Sequence, residues 1–413
     1  MGSNPLFEND RENVDNWAAS ARFDARWGSW PLLARLSADA RNSHFLRTLL
    51  VAEGYGDRAL RLLETGTRAV GLATPGELPL GRRAGLRLSF DYRSERAATR
   101  YEDPATGEQR AADVARRERF VGEVGLALHP HSRLEIDVSL RGDLLHDRSD
   151  SSGSARRQAW SPRIALVWAL TGDSDGERGF DLFGELGQAF KAPTLDQLYD
   201  PRPFSGPDGD VQLSNSQLEP QRSHGGELGA RGRFARVDWQ VVVYRLDIAS
   251  EIDFDPASFR YANIGRSRHD GLEASWRYNA AKFGELRLTY ARSRAEAGTH
   301  PGAQLKNIPR DVFRLGWNVH LGDTIELGLR QSLLAGRWAD DASQRPLGNA
   351  LRTDLRLARQ AGRARLYLDI LNLFGGEALE LAYLLPAADG GEAVLHGFAP
   401  APRAFRCGIQ TSF

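Results

Sequence analysis

Long stretches of this chain alternate apolar and polar residues one by one, and no other feature constrains its fold as tightly. Across residues 17–27 one face carries Trp17, Ala19, Ala21, Phe23, Ala25 and Trp27, and the other Ala18, Ser20, Arg22, Asp24 and Arg26. Successive side chains point to opposite sides only in extended backbone, so a period of two marks a strand whose faces meet different media. The split recurs across residues 83–93, where Leu86, Leu88, Phe90 and Tyr92 oppose Arg87, Ser89, Asp91 and Arg93. Residues 133–141, 236–243, 271–278 and 313–321 repeat it.

A soluble sandwich also alternates, but two features speak against one. The ten steps from Trp17 to Trp27, at about 3.3 Å each, extend about 33 Å, twice the usual strand, and tilted by about 40° they rise about 25 Å. That is the height of the apolar band of an outer-membrane barrel, here with a Trp toward each rim. The polar faces are dense in Arg, Asp and Glu, which suits an aqueous interior rather than a second packed sheet. A mean hydropathy of −0.45 with 41% hydrophobic and 26% charged residues fits such a barrel, because only every second strand residue meets lipid. No window approaches the roughly 20 apolar residues of a membrane helix.

The 54 basic and 54 acidic residues cancel, so no global field draws nucleic acid. Lysine occurs only at 191, 282 and 306, and the remaining positive charge is arginine. A single cysteine, Cys407, excludes an intrachain disulfide and any cysteine-clustered metal site. The opening "MGSNPLFENDREN" has neither the basic region nor the apolar core of a secretory signal.

Connections between the alternating segments are short and long by turns, as an up-and-down barrel requires. "WGSW", "HPHS", "GRFAR", "LGDT" and "QAG" are short. Polar stretches rich in Gly, Pro and Asp near 94–117, 147–157, 191–222, 250–267, 295–310, 338–348 and 375–402 read as long surface loops. The fold expected is all-β: an antiparallel transmembrane β-barrel of the outer-membrane type. Counted back from Phe413, it has roughly 16 to 18 strands.

One stretch changes character midway. In "GQAFKAPTLDQLYD" a strand runs to Phe190, Pro193 ends the ladder, and Thr194 with Gln197 has the spacing of a helix capping box. The chain end, "AFRCGIQTSF", puts Phe405, Cys407, Ile409, Thr411 and Phe413 on one face. A closing aromatic on an alternating strand is the pattern that barrel-assembly machinery reads, through Phe405, Ile409 and Phe413.

Together these pieces resemble the C-terminal part of a TonB-dependent outer-membrane receptor. "FKAPTLDQLYD" is similar to that family's Phe-Arg-Ala-Pro box, through Phe190, Lys191 (for Arg), Ala192, Pro193, Leu198 and Tyr199. "LSNSQLEPQRSHGGELGAR" resembles the stretch that follows, through Asn215, Leu218, Glu219, Pro220, Glu227, Leu228 and Gly229. Asn263, Gly271, Leu272 and Glu273, then "LKNIPRDVFRLG", "GRWADD" and "LDILNLFG", continue the order. The resemblance implies a barrel portion of the family's roughly 22 strands, spanning residues 1–413 without the plug domain. It implies an outer-membrane location, outer-membrane lipid around the barrel, and uptake of a metal chelate of the ferric-siderophore type or a cobalamin-like cofactor. The partner it implies is the TonB energy-coupling complex, acting through a plug that this chain lacks. On that reading the isolated chain is expected to show a gap in its sheet, to aggregate or to rearrange, because an unpaired edge would face hydrocarbon. A passive porin-like channel and a soluble β-repeat binding module are the rival readings.

Candidate sites are few. No zinc-protease His pair, nucleophile elbow or phosphate loop is present, so no enzyme, catalytic residue, bound metal or cofactor is expected. "DSDG" at 173–176 and "DGD" at 208–210 have acidic spacing but lack the remaining ligands of a calcium loop. Residues 194–214 contain no histidine, which disfavours haem among the family's substrates. Tyr199, Arg202, Phe204, Arg260, Tyr261 and Trp338 are candidate loop contacts to an anionic chelate. The Pro193 to Tyr199 stretch reads foremost as rim structure, folding back at the start of an external loop.

Overall fold

The computed structural model describes the chain except residues 1–6, 28–29, 53–54, 75–76, 104–105, 173–177, 202, 207–208, 256–257, 259, 281–283, 386–390, 399 and 412–413. Arg202, Phe413 and the "DSDG" stretch therefore lie outside the described residues, as does the side chain of Phe204. One sheet of 18 strands dominates. One member, Leu78–Pro79, is two residues long, and the other 17 form a meander in which each long strand pairs antiparallel with the long strand next in sequence. The meander runs on to Ala404–Thr411, which pairs with Ala364–Leu371. Among the described residues, Phe7–Trp27 pairs only with Trp30–Ala52, and Ala404–Thr411 only with Ala364–Leu371.

The periodicity explains which face is which. Trp160, Leu186, Leu228 and Ile409 lie on the outward face and are more than 60% exposed, an arrangement that only a lipid surround makes favourable. The opposite face carries ion pairs between neighbouring strands: Arg119 to Asp143 at 2.6 Å, Arg163 to Glu185 at 2.6 Å, Arg231 to Asp181 at 2.9 Å and Arg356 to Asp369 at 2.6 Å. These lumen pairs satisfy charge and hold side chains in place; those of Arg163 and Arg231 are open to solvent and contribute little to stability, whereas Asp143 and Asp369 are buried.

Two of the expected long loops are mostly strand. Ala84–Glu102 and Gln109–His131 form one hairpin whose connection is only residues 103–108, and Leu134–Ser149 and Gly153–Gly172 turn within residues 150–152. At about 3.3 Å per residue the 23-residue Gln109–His131 strand extends about 75 Å, so the hairpin rises well clear of a 25 Å apolar band. Above the lipid nothing selects for an apolar face, and alternation fades there although hydrogen bonding continues. Four other long connections hold small hairpins: Pro203–Gly206 with Gly209–Gln212, Ile252–Asp255 with Arg260–Asn263, Arg337–Trp338 with Pro346–Leu347, and Leu381–Leu385 with Val394–Phe398.

Strand glycines have a specific use. Gly142, Gly229, Gly232, Gly271 and Gly408 stand directly opposite Trp160, Phe183, Trp239, Tyr244 and Tyr367. In each pair the ring lies over the glycine, where a Cβ would meet it at 2.3–2.9 Å. Arg231 and Arg356 lie over the rings of Phe183 and Tyr367 at 5.6 and 5.4 Å from the centroids.

Candidate functional site

The rim motif folds as its residue types dictate. The strand Arg178–Lys191 ends where Pro193, buried and without an N–H, follows. Thr194 is then in extended conformation (φ −70°, ψ 160°) as the N-cap of the helix Leu195–Tyr199. Its hydroxyl accepts from the Gln197 N–H at 3.2 Å, and the Gln197 side chain accepts from the Thr194 N–H at 2.9 Å. This reciprocal cap satisfies two otherwise orphaned donors of a helix too short to persist alone.

The helix docks on the barrel wall through its apolar side. Leu198 and Tyr199 are buried with Ala115 and Leu218, and Leu195, Ile252 and Tyr261 pack around them. Burial, with Asp147 nearby, pushes the Tyr199 phenol above its usual pKa against the opposing pull of Arg157. Beneath the cluster Asp147 is fully buried. Arg117 binds it through Nε and NH2 at 2.6 and 2.8 Å, and Arg157 through NH1 at 2.6 Å. On the other flank Arg61 reaches Asp196 at 3.0 Å and Asp200 at 3.4 Å, and the Tyr101 hydroxyl donates to Asp200 at 3.0 Å.

Two asparagines tie this loop to the next. The Asn215 N–H donates to Gln197 O at 2.7 Å, and its Nδ2 donates to Tyr261 O at 3.0 Å. Asn263 accepts from the Glu219 N–H at 2.9 Å and donates to Glu219 O at 3.0 Å and Ser250 O at 2.8 Å. Asn215, Leu218 and Glu219 are thus brought together with the helix, and Asn263 joins them from 44 residues away.

A second set of ties lies at "LKNIPRD" and "GRWADD". Lys306 Nζ donates to Asp253 at 2.6 Å and Asp341 at 3.0 Å. Burial alone lowers an ammonium pKa, but these two carboxylates outweigh it and raise that of Lys306. Asn307 exchanges hydrogen bonds with the Ala382 backbone at 2.8 and 2.9 Å. The buried Arg337 guanidinium donates to the carbonyls of Leu379, Glu380 and Gly348 at 2.6–3.0 Å. Backbone carbonyls alone are poor partners for a buried cation, and desolvation lowers its pKa.

The candidate ligand contacts divide on this frame. Tyr199 is buried, and Tyr261 is half-buried, its ring edge-on to Phe254 at 6.2 Å. Trp338 is half-buried, and its carbonyl accepts from the Asn307 N–H at 2.8 Å. Arg260 is exposed on the Ile252–Asp255 hairpin partner strand, opposite Asp255. Phe405 and Ile409 are each 70% exposed on the last strand's outward face. Sequence reasoning missed Asp147, Arg117 and Arg157, which no local motif links. Among the described residues no group of three or more His, Cys, Asp or Glu is placed to hold a metal ion.

Comparison with solved structures shows the same architecture. FyuA, the ferric yersiniabactin uptake receptor of Yersinia pestis, is 15% identical, with a TM-score of 0.66 over 97% of this chain and 61% of that chain. FpvA, the pyoverdine outer membrane receptor of Pseudomonas aeruginosa PAO1, is 13% identical, with a TM-score of 0.75 over 100% and 66%. The copper transporter OprC is 15% identical, with a TM-score of 0.75 over 98% and 67%. This chain spans less than two thirds of the length of FyuA and FpvA. The sequence model described as "TonB dependent receptor-like, beta-barrel" matches residues 2–373. The chain belongs to the TonB-dependent receptor family, as an outer-membrane β-barrel of a family of transporters rather than enzymes.

Proposed function

We propose that this barrel serves uptake of a metal chelate, of the ferric-siderophore type, or of a cobalamin-like cofactor. The observation that carries the reading is the external rim. The loops are stapled to one another and to the wall by Asn215, Asn263, Lys306 and Arg337, above a lumen lined with arginine and carboxylate. A fixed rim with polar hairpin tips suits capture of a bulky anionic ligand, and a charged lumen suits its passage. Arg260 and Trp338, with Arg202 and Phe204 on the neighbouring loop, serve as ligand contacts, while Pro193, Leu198, Tyr199 and Tyr261 hold the rim. Residues 1–413 act as the barrel. The plug, moved by the TonB energy-coupling complex, opens the path. Phe405, Ile409 and Phe413 present the terminal strand to the assembly machinery.

Fractionation and binding test this. The protein partitions with outer membranes, and in detergent it binds one of a panel of ferric chelates or cobalamin, with haem the weakest. Arg260→Ala weakens that binding, whereas Tyr199→Phe leaves it unchanged. Stable ion conductance in planar bilayers without chelate binding means a passive channel instead. Recovery in the aqueous extract as a monodisperse monomer means a soluble binding module.

A further inference from the structure

Where the wall gives way to the loop that carries Arg260, one residue adopts a conformation its type disfavours. Ser250, between Val237–Ala249 and the hairpin of Ile252–Asp255 with Arg260–Asn263, has φ 55°. A left-handed backbone at a non-glycine residue persists only where surrounding contacts impose it. Asn263 supplies one by donating to the Ser250 carbonyl at 2.8 Å, and the Ser250 hydroxyl donates to Glu219 at 3.2 Å. Just beyond, Glu251 extends the hairpin ladder. Its N–H donates to Gly265 O at 3.0 Å, and its carbonyl accepts from the Ile264 N–H at 2.8 Å.

The Glu251 side chain turns back to the wall. Its Oε2 is buried and accepts no hydrogen bond among the described residues. It stands 4.0 Å from His269 Nε2, with the Glu251 and His269 side chains 19% and 17% exposed. The buried Ser267 hydroxyl lies 3.4 Å from the same ring nitrogen. Directly opposite His269 stand Leu246 on one side and Ala295 on the other, and neither titrates. Arg245, Asp247, Arg268 and Asp270 belong to the other face of the sheet and pair among themselves. Asp253 is held by Lys306, and Lys191 acts on Glu251 from the end of its own strand. Burial by itself raises a carboxyl pKa, but His269, Ser267 and Lys191 outweigh it and hold Glu251 below the usual range. The carboxylate therefore stays ionised over the range in which an imidazole titrates.

We propose that His269 is a positioning residue for the hairpin that presents Arg260, and that its protonation decides how firmly that hairpin is seated. In the neutral ring Nε2 accepts from the Ser267 hydroxyl, and the Glu251 oxygen is left unpaired. A proton taken from water onto Nε2 turns that nitrogen into a donor, and a charge-assisted hydrogen bond to Glu251 closes the 4.0 Å gap. The bond fastens the residue next to the strained hinge and draws the hairpin onto the wall. Both charges coexist from roughly pH 5 to 6, and the pair is lost as the imidazole deprotonates toward pH 8. That the seated hairpin holds Arg260 for an incoming anion rests on the uptake function proposed for this barrel; the latch itself does not.

The test is amide hydrogen exchange of the full chain, folded in neutral detergent without ligand, at about pH 5.5 and about pH 8. Protection factors remove the intrinsic pH dependence of exchange. The Glu251 and Ile264 N–H groups are roughly tenfold less protected at the higher pH, the worth of one charge-assisted hydrogen bond in a partly exposed site. His269→Gln keeps a polar side chain but no titratable ring, and the protection becomes the same at both pH values. Glu251→Gln has the same effect, whereas His320→Gln, on Asp311–Leu321, leaves the wild-type dependence intact. The strand Gly284–Ala297 keeps its protection throughout, which separates a local latch from lost folding. Equal wild-type protection at the two pH values, or a wild-type dependence surviving in His269→Gln, overturns the proposal. Because no ligand is present, either failure leaves the uptake reading standing, and failure to bind any chelate leaves the latch standing.

Discussion

Replacing Asp147 with Asn separates a buried charge cluster from the many exposed pairs it resembles. Asp147 is 0% exposed, and its partners Arg117 and Arg157 are 8% and 11% exposed at the side chain. The carboxylate accepts three charge-assisted hydrogen bonds at 2.6–2.8 Å. Asn keeps the shape but removes the charge, leaving two desolvated guanidiniums and turning an amide N–H toward one of them. Breaking a buried ion cluster in this way costs about 3–5 kcal/mol. The same change at Asp24, whose pair with Arg22 is 65% and 59% exposed, costs less than about 1 kcal/mol. The loss is local, so amide hydrogen exchange reads it best. The N–H groups of Leu198, Asp200 and Leu218, bonded to Thr194, Asp196 and Asn215, exchange about two to four orders of magnitude faster in Asp147→Asn. Strands far from the cluster keep their protection. Equal, small effects of Asp147→Asn and Asp24→Asn would refute the view that this cluster holds the rim to the wall.

Other substitutions probe the remaining ties. Thr194→Ala removes one half of the capping box and costs the helix about 1 kcal/mol, seen as faster exchange of the Gln197 N–H. Gly271→Ala drives a Cβ to within 2.3 Å of the Tyr244 ring and costs about 1–3 kcal/mol in urea unfolding, and adding Tyr244→Ala recovers part of that loss. Lys306 titrates above its ordinary value when folded, so its stabilisation is complete below the unfolded pKa near 10.4 and fades as pH rises through the folded one. Loop melting therefore falls above about pH 10 in wild type, and Lys306→Met abolishes that fall.

Much of this was legible in the chain itself. Alternation across residues 17–27, 83–93 and 313–321 marked the lipid and lumen faces, because a strand between lipid and water must sort its side chains by parity. The Thr194 and Gln197 cap was readable because a capping box is a four-residue affair. The height of the Ala84–Glu102 hairpin was not, since above the bilayer both faces meet water and the pattern that reports a strand lapses. The Asp147 cluster and the Asn263 staple were hidden for another reason. Their partners are 10 to 44 residues away, and only the register of the ladders brings them together.

The opposed glycine and ring pairs bear on how the sheet assembles. A meander of near-identical alternating ribbons tolerates a slip by two positions, because such a slip preserves which face is greasy. Each ring, however, has a vacancy to enter over its glycine, and a two-step error sets it against a residue that carries a side chain. Five such keys, spread along the ribbon, let correct alignment be proofread ladder by ladder.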